Sequence, residues 1–140
     1  VERYRDRKLI ERYLESVALK YDMTMAELSL LLYRKDAGQA LARKDLANLM
    51  NLRRGDLRLA LQRLATREMM DIIELPKKRS EPRKIRLELL PAADAVLQDI
   101  ATAERDYEQA KFRGFTEDEI RQYTALERRV QENEKQILQK

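Results

Sequence analysis

The chain has 140 residues, enough for one domain with a sizeable core, and its 39% charged, 44% apolar and 6% aromatic content favours a helical protein over a disordered one. It contains no Cys and no His, which excludes disulfides, thiolate metal sites and the usual general base, so we expect neither an enzyme nor a metal or organic cofactor. No apolar run approaches the ~20 residues that span a bilayer, and no signal-peptide pattern opens the chain, so we expect a cytoplasmic protein.

Four amphipathic helices are predicted in the first half of the chain. The first covers residues 3–21, with apolar positions at Ile10, Leu14, Val17 and Tyr21. The residues from Thr24 to Glu27 form a capping-box pattern that begins the second helix. The third begins near Arg43, with apolar positions at Leu46, Leu49 and Met50. The fourth covers about 53–67 and directs Leu57, Leu61 and Leu64 inward.

Two strands and two long helices are predicted to follow. Residues 69–75 and 85–89 have strand character and bracket a basic loop at 76–84. A helix then begins at Pro91 and ends before Gly114, with apolar positions at Val96, Ile100, Ala103 and Tyr107. The sequence 116–119 is a second capping box, and the last helix carries Ile120, Tyr123, Val130 and Ile137.

The first, fifth and sixth helices are long and sparsely apolar, which favours packing against a second copy of the chain. Simple packing against the rest of the same chain is the alternative. The residues expected at a dimer interface are Ile10, Leu14, Val17, Tyr107, Ile120, Tyr123, Val130 and Ile137.

The order helix, turn, helix, strand, basic loop, strand is that of a helix-turn-helix followed by a β-wing, a structure that places one helix in a DNA groove. The charges agree with this interpretation. Residues 43–86 hold 13 Lys and Arg against 6 Asp and Glu, whereas 1–42 hold 8 against 7 and 87–140 hold 8 against 12. The net charge of +4 therefore conceals a cationic middle that indicates a polyanionic partner.

The fourth helix is the predicted recognition helix, because its N-terminal half would lie in the major groove. Its candidate DNA-binding residues are Arg53, Arg54, Gly55, Arg58, Leu59, Gln62 and Arg63. Arg can contact guanine and Gln can contact adenine bidentately. A solvated face is the alternative for the arginines, although the like charges of Arg54 and Arg58 at i,i+4 repel unless they face an anion. Leu59 would contact a thymine methyl or pack on the wing, and Gly55 is either a close approach to phosphate or a weak helix start.

The basic loop supplies the wing candidates, which are Lys77, Lys78, Arg79, Arg83 and Lys84. Such a wing commonly reaches the minor groove or the phosphates, and a hydrated hairpin tip is the alternative. Arg83 is the strongest single candidate, and Glu81 is expected to pair with it and fix its direction. The other cations are expected to supply salt-sensitive, non-specific affinity.

The chain resembles the MarR family of bacterial winged helix-turn-helix transcription regulators along its whole length. The resemblance lies in residues 45–47, in the run 52–64, in the wing segment 81–83, and in 87–89 and 115–120. The chain departs from the family at Glu68, where the recognition helix usually ends in Gly, and at residues 89–93 after the second wing strand.

The resemblance implies a homodimer, joined through its terminal helices, that binds a pseudo-palindromic operator and is often released by a small phenolic or other anionic effector. An effector cleft would lie between the dimer helices and the winged region. Its candidate lining is Tyr13, Tyr21, Met25 and Tyr33, which are equally plausible as core and interface residues.

We therefore predict a mainly α protein with a small β-wing (α+β), a single winged helix-turn-helix domain over 1–140. Residues 24–90 would form the DNA-binding region, and 1–22 and 92–140 the dimerisation helices. The expected function is sequence-specific double-stranded DNA binding by a dimeric repressor. The alternative is a winged-helix protein-interaction module that binds an acidic partner. RNA binding ranks lower because stacking aromatics are not interleaved with the basic segment.

Overall fold

The computed structural model describes residues 2–36 and 39–139, which form six α-helices and three strands. The helices are α1 (Glu2–Tyr21), α2 (Met25–Asp36), α3 (Arg43–Leu49), α4 (Arg54–Thr66), α5 (Asp94–Lys111) and α6 (Glu117–Leu138). The strands are β1 (Leu41–Ala42), β2 (Met70–Glu74) and β3 (Lys84–Leu89), and a 3-10 turn at Pro91–Ala93 precedes α5. The described helices agree with the six that were predicted.

The three strands form one antiparallel sheet in the order β1-β3-β2. β2 and β3 pair from Met70 opposite Leu89 to Glu74 opposite Ile85, and the loop between them is the wing. On the other side of β3, Leu41 lies opposite Ile85. The sequence pattern did not predict β1, because a two-residue strand is too short to show periodicity.

The chain divides into two compact units, residues up to Arg105 and residues from Asp106 onward. The core of the first unit is built from apolar side chains of α1–α5 and the sheet; its fully buried members include Leu28, Leu30, Leu31, Leu46, Leu57, Leu64, Met70, Ile85, Val96 and Ile100. Leu49 was expected with Leu46 but is 59% exposed, and Ala47 is buried instead. The reason is that α3 ends at Leu49 and the chain reverses at Asn51, where φ is +55°.

The apolar stripe of α1 is covered within the chain itself. Leu14 and Val17 are only 7% and 5% exposed and belong to the core of the first unit, and Ile10 packs against that core. The expectation that these residues face a second copy is therefore wrong for Leu14 and Val17, because α2 and the rest of the core already bury them.

Local signals at the helix ends are confirmed. Glu27 and Thr24 form the predicted capping box, and Thr116 forms another with Glu119. Gly114 lies beyond α5 with φ +85°. Glu68 stands at the end of α4 with φ +55°, the left-handed conformation that usually takes Gly.

The second unit contains the end of α5, the turn at Gly114 and α6. Phe112 makes edge-to-face contacts with Phe115 and Tyr123, with centroids 6.0 and 5.6 Å apart. Farther along α6, Val130 and Ile137 are 57% and 71% exposed. In the part of the chain described, no helix is both long and apolar enough to cross a membrane.

Candidate nucleic-acid interface

α4 presents polar side chains to solvent because its apolar residues are spaced to face the core. Leu57, Leu61 and Leu64 are buried as predicted. The exposed candidates are Arg53, Arg54, Gly55, Arg58, Leu59 and Gln62. No described residue forms an ion pair with the three arginines in this set, so their charges are available to an external anion.

A cavity of about 280 Å³ opens where α4 begins. Its lining is Arg43, Arg54, Gly55, Leu57 and Arg58. A Cβ added at Gly55 would meet no described atom within 4 Å, so the packing of the chain does not require glycine there. Three guanidinium side chains around a bare stretch of helix backbone are suited to a phosphate group.

Arg43 is a site residue that the sequence did not identify. It is the first residue of α3, eleven positions before Arg54, and only the turn between α3 and α4 brings the two together. Its cationic type in the basic segment was the available signal, but nothing in the periodicity distinguished it from neighbouring Lys44.

The wing carries its cations on an exposed hairpin. Lys77, Lys78, Arg79, Arg83 and Lys84 are all exposed. The tip is a turn in which the Glu81 amide donates to the Lys78 carbonyl at 2.9 Å. Arg79 has φ +45° there, a conformation that disfavours side chains larger than Gly.

A carboxylate connects the cavity to the wing. Glu74 Oε1 accepts a hydrogen bond from Arg43 Nη2 at 3.1 Å, and its Oε2 lies 3.7 Å from Arg83 Nη1. The partner of Arg83 is therefore Glu74. The expectation that Glu81 pairs with Arg83 is wrong. Glu74 ends β2 opposite Ile85, within reach of Arg83, whereas Glu81 belongs to the turn at the tip. The start of α3, the start of α4 and the wing thus form one continuous cationic surface.

Arg63 has a different environment from the other arginines of α4. Its Nε lies 2.9 Å from Oε1 of Glu27, and its Nη2 donates to the carbonyl of Asp22 at 3.0 Å. Arg67 donates to the same carbonyl at 3.0 Å. Arg63 was predicted to contact DNA, but its guanidinium is engaged with the corner between α1 and α2.

Glu27 is a buried carboxylate, with a side chain only 1% exposed. Its Oε2 accepts a hydrogen bond from the Thr24 amide at 2.6 Å. Its Oε1 accepts none and is compensated only by the ion pair with Arg63. Burying a charge without such a partner is costly, so Arg63 has a structural role here.

The four candidate effector residues are half-buried against the core. Tyr33 donates to the Gln39 carbonyl at 3.2 Å, and Tyr21 donates to Asp99 Oδ2 at 2.8 Å. Tyr13 and Met25, the other two candidates, also pack against the core. Two further surface cavities, of about 300 and 340 Å³, have other linings: the first lies between the start of α2 and α4, and the second at the base of the wing. The structure therefore gathers these four residues around none of the three cavities.

Asp99 also accepts a hydrogen bond from Lys20 at 2.8 Å, which joins the end of α1 to α5. The hydrogen bonds from Lys20 and Tyr21 lower the pKa of Asp99. The hydrogen bond to Asp99 correspondingly raises the pKa of Lys20 and that of Tyr21. Within the described residues no group of three or more acidic side chains is arranged to hold a metal ion.

Solved structures share this architecture. MarR from E. coli in its apo form matches with a TM-score of 0.66 and 19% identity, over 91% of this chain and 92% of that chain. A mutant of E. coli MarR complexed with operator DNA matches with a TM-score of 0.59 and 18% identity, over 91% and 89%. This chain has the MarR fold.

Another protein with the MarR fold is BpsR from Bordetella bronchiseptica, whose DNA binding is regulated by 6-hydroxynicotinic acid. It matches with a TM-score of 0.54 and 19% identity, over 89% of each chain. No family model and no curated protein matches the sequence. The predicted fold class, a winged helix in a mainly α protein, is confirmed.

Proposed function

We propose that this chain is a member of the MarR family and a sequence-specific, double-stranded DNA-binding transcription regulator. The observation that carries the proposal is the continuous cationic surface from the α4 cavity through Arg43 and Glu74 to Arg83. A helix start with three arginines and an adjacent cationic hairpin suit a major groove and the flanking backbone. The MarR structure with operator DNA supports the proposal through its shared fold.

Within this surface we assign different tasks to the helix and the wing. Arg54, Arg58 and Gln62 are exposed on α4 and are residue types that can pair with base edges. The wing cations Lys77, Lys78, Arg79, Arg83 and Lys84 supply phosphate contacts and salt-dependent affinity. Arg53 and Gly55 lie where α4 begins and would approach the phosphate backbone of the DNA. Leu59, 57% exposed, is suited to a thymine methyl. We leave Arg63 out of the contact set, because it is paired with Glu27.

We infer that the protein acts as a homodimer. Tyr123, Val130 and Ile137 lie on α6 at heptad-like spacing and are 40–71% exposed, which is the pattern of a helix that pairs with another copy. Ile120 and Tyr107 are half-buried in the same unit. A two-fold axis would place two recognition helices in successive major grooves, about 34 Å apart, on a pseudo-palindromic operator. Sedimentation velocity tests this: the chain should sediment as a dimer, and Val130→Asp should shift it toward the monomer.

We further propose a cytoplasmic bacterial repressor, without catalytic activity or cofactor, that a small phenolic or anionic effector releases from DNA. The regulation of BpsR by 6-hydroxynicotinic acid supports an effector of this class. Tyr13, Tyr21, Met25 and Tyr33 are its proposed contacts. Titrating the protein–operator complex with 6-hydroxynicotinic acid should release the DNA, and Tyr13→Phe should weaken that response without altering DNA affinity.

The decisive experiment is selection of bound sites from random duplex DNA, followed by affinity measurements across a salt series. We expect a palindromic operator, a preference over random DNA at every salt concentration, and a steep loss of affinity as salt rises. Arg83→Ala should weaken binding to most sequences. Arg58→Ala or Gln62→Ala should change base preference, by about 1–3 kcal/mol for each bidentate pairing with a base that the substitution removes.

The same measurements identify the alternatives. Binding that falls with salt but shows no sequence preference would favour a module for an acidic protein partner. Structured RNA that competes better than duplex DNA would favour RNA binding. Either result would overturn the proposal of a sequence-specific regulator.

A further inference from the structure

Glu74 is an acidic residue at the centre of the most cationic part of the chain. A carboxylate on a surface that binds phosphates lowers the electrostatic attraction for any nucleic acid, whatever its sequence. Its position is therefore unfavourable for simple affinity. The contacts of its two oxygens indicate another role for Glu74: one oxygen is hydrogen-bonded to Arg43 at 3.1 Å and the other lies 3.7 Å from Arg83.

The sheet brings these three residues together from distant parts of the sequence. β1 ends at Ala42, opposite Lys84, so that Arg43 and Arg83 lie next to paired residues of neighbouring strands. Glu74 lies opposite Ile85 from the other side of β3. The two-residue strand β1 thus places the start of the helix-turn-helix beside the wing, and Glu74 connects the two.

The stability of the folded chain does not explain why a carboxylate is present at Glu74. The side chains of Arg43, Glu74 and Arg83 are 41–51% exposed, and ion pairs at such exposed sites contribute little to stability. The ion pairs instead restrict the rotamers of the Arg43 and Arg83 side chains. A free arginine loses several rotamers when it binds a defined site, and prior ordering reduces that cost. Ordering of this kind favours ligands whose groups match the fixed geometry.

We propose that Glu74 is a positioning residue for operator selectivity, which holds Arg43 and Arg83 in the geometry that the specific site requires. The inference rests on the proposed DNA-binding function and extends it. Glu74 lowers affinity for random DNA through its charge. It raises the preference for the operator because the two arginines that it orders contact phosphates at the fixed positions of the operator complex, and loose non-specific binding gains less from that order.

Glu81 provides a matched control. It carries the same charge in the same hairpin, seven residues later, and is exposed. No described cation forms an ion pair with it. Glu74→Gln and Glu81→Gln each remove one negative charge without changing side-chain length, but only the first removes a carboxylate that forms ion pairs with two arginines.

The experiment measures the affinities of the full chain and the two variants for the operator selected by the unmodified protein and for random duplex of equal length. Both variants should bind random DNA more tightly, by a similar factor. The ratio of operator to random affinity should fall about tenfold in Glu74→Gln, because phosphate contacts made in the fixed register of the operator complex depend more on ordered arginines than loose non-specific contacts do. It should stay within twofold in Glu81→Gln. Thermal melts should show that both variants remain folded.

A second measurement separates positioning from a direct effect of charge. In a chain that also carries Arg43→Ala and Arg83→Ala, Glu74→Gln should leave the ratio unchanged, because the groups it positions are gone. Equal ratios for the Glu74 and Glu81 variants, or a tenfold fall that persists without the arginines, would overturn the inference while the DNA-binding function stands. An unmodified chain that prefers no operator would refute the proposed function itself.

Discussion

Replacing Arg63 by alanine should destabilise the protein, whereas replacing Arg58 should not. Both are arginines on the polar side of α4, one turn and a residue apart. Arg58 is exposed and has no ion-pair partner in the described chain, whereas Arg63 compensates the carboxylate of Glu27 at 2.9 Å. The two variants therefore test the structure directly.

The magnitude follows from the burial of the two partners. Removing one member of a fully buried pair costs about 3–5 kcal/mol, and removing an exposed pair costs about 0–1 kcal/mol. Here the Glu27 side chain is 1% exposed and that of Arg63 is 41% exposed, so an intermediate cost of about 2 kcal/mol is expected. The Asp22 carbonyl adds little to this figure, because Arg67 continues to donate to it at 3.0 Å.

Urea unfolding followed by circular dichroism measures the difference. Arg63→Ala should lower the free energy of unfolding by about 2 kcal/mol, and Arg58→Ala should change it by less than about 0.5 kcal/mol. Operator affinity should respond in the opposite order, with the larger loss in Arg58→Ala. Equal destabilisation by the two substitutions, or a stable Arg63→Ala chain, would refute the assignment of Arg63 to the α1–α2 corner.

Three further changes test other features of the structure. Glu68→Gly should stabilise the protein by about 1 kcal/mol in thermal unfolding, because φ is +55° at this residue, and Glu68→Ala should give no such gain if the backbone conformation is the cause. Asp99→Asn should reduce the loss of stability at acid pH. The hydrogen bonds from Lys20 and Tyr21 lower the pKa of Asp99 from its ordinary value of 3.8. The stabilisation from this carboxylate is therefore complete above pH 3.8 and is lost as the pH falls through the lowered pKa. Thr116→Ala should cost about 1 kcal/mol by removing the cap of α6, with lower helicity near that end by hydrogen exchange.

Features that depend on neighbouring residues could be predicted from the sequence. The capping boxes at Thr24 and Thr116 join residues three apart, so the sequence contains both partners. The inward positions of α4 follow from a period of 3.6 residues, and the alternation in β3 follows from a period of two. The order of these elements was sufficient to predict the winged helix. The resemblance to the MarR family depended on that order together with the residues of segments such as 45–47, 52–64 and 81–83.

Features that depend on distant residues required the tertiary structure. Arg58 and Arg63 flank the same outer face in the helix pattern, which does not show that Glu27, more than thirty residues earlier, packs beside one of them. Arg83 was expected to pair with its near neighbour Glu81, but the sheet brings Glu74 closer. The sequence determined which side chains of a helix or strand face solvent. The packing of one element on another decided which of the exposed charges remain unpaired, because burial and ion pairing depend on distances in space rather than along the chain.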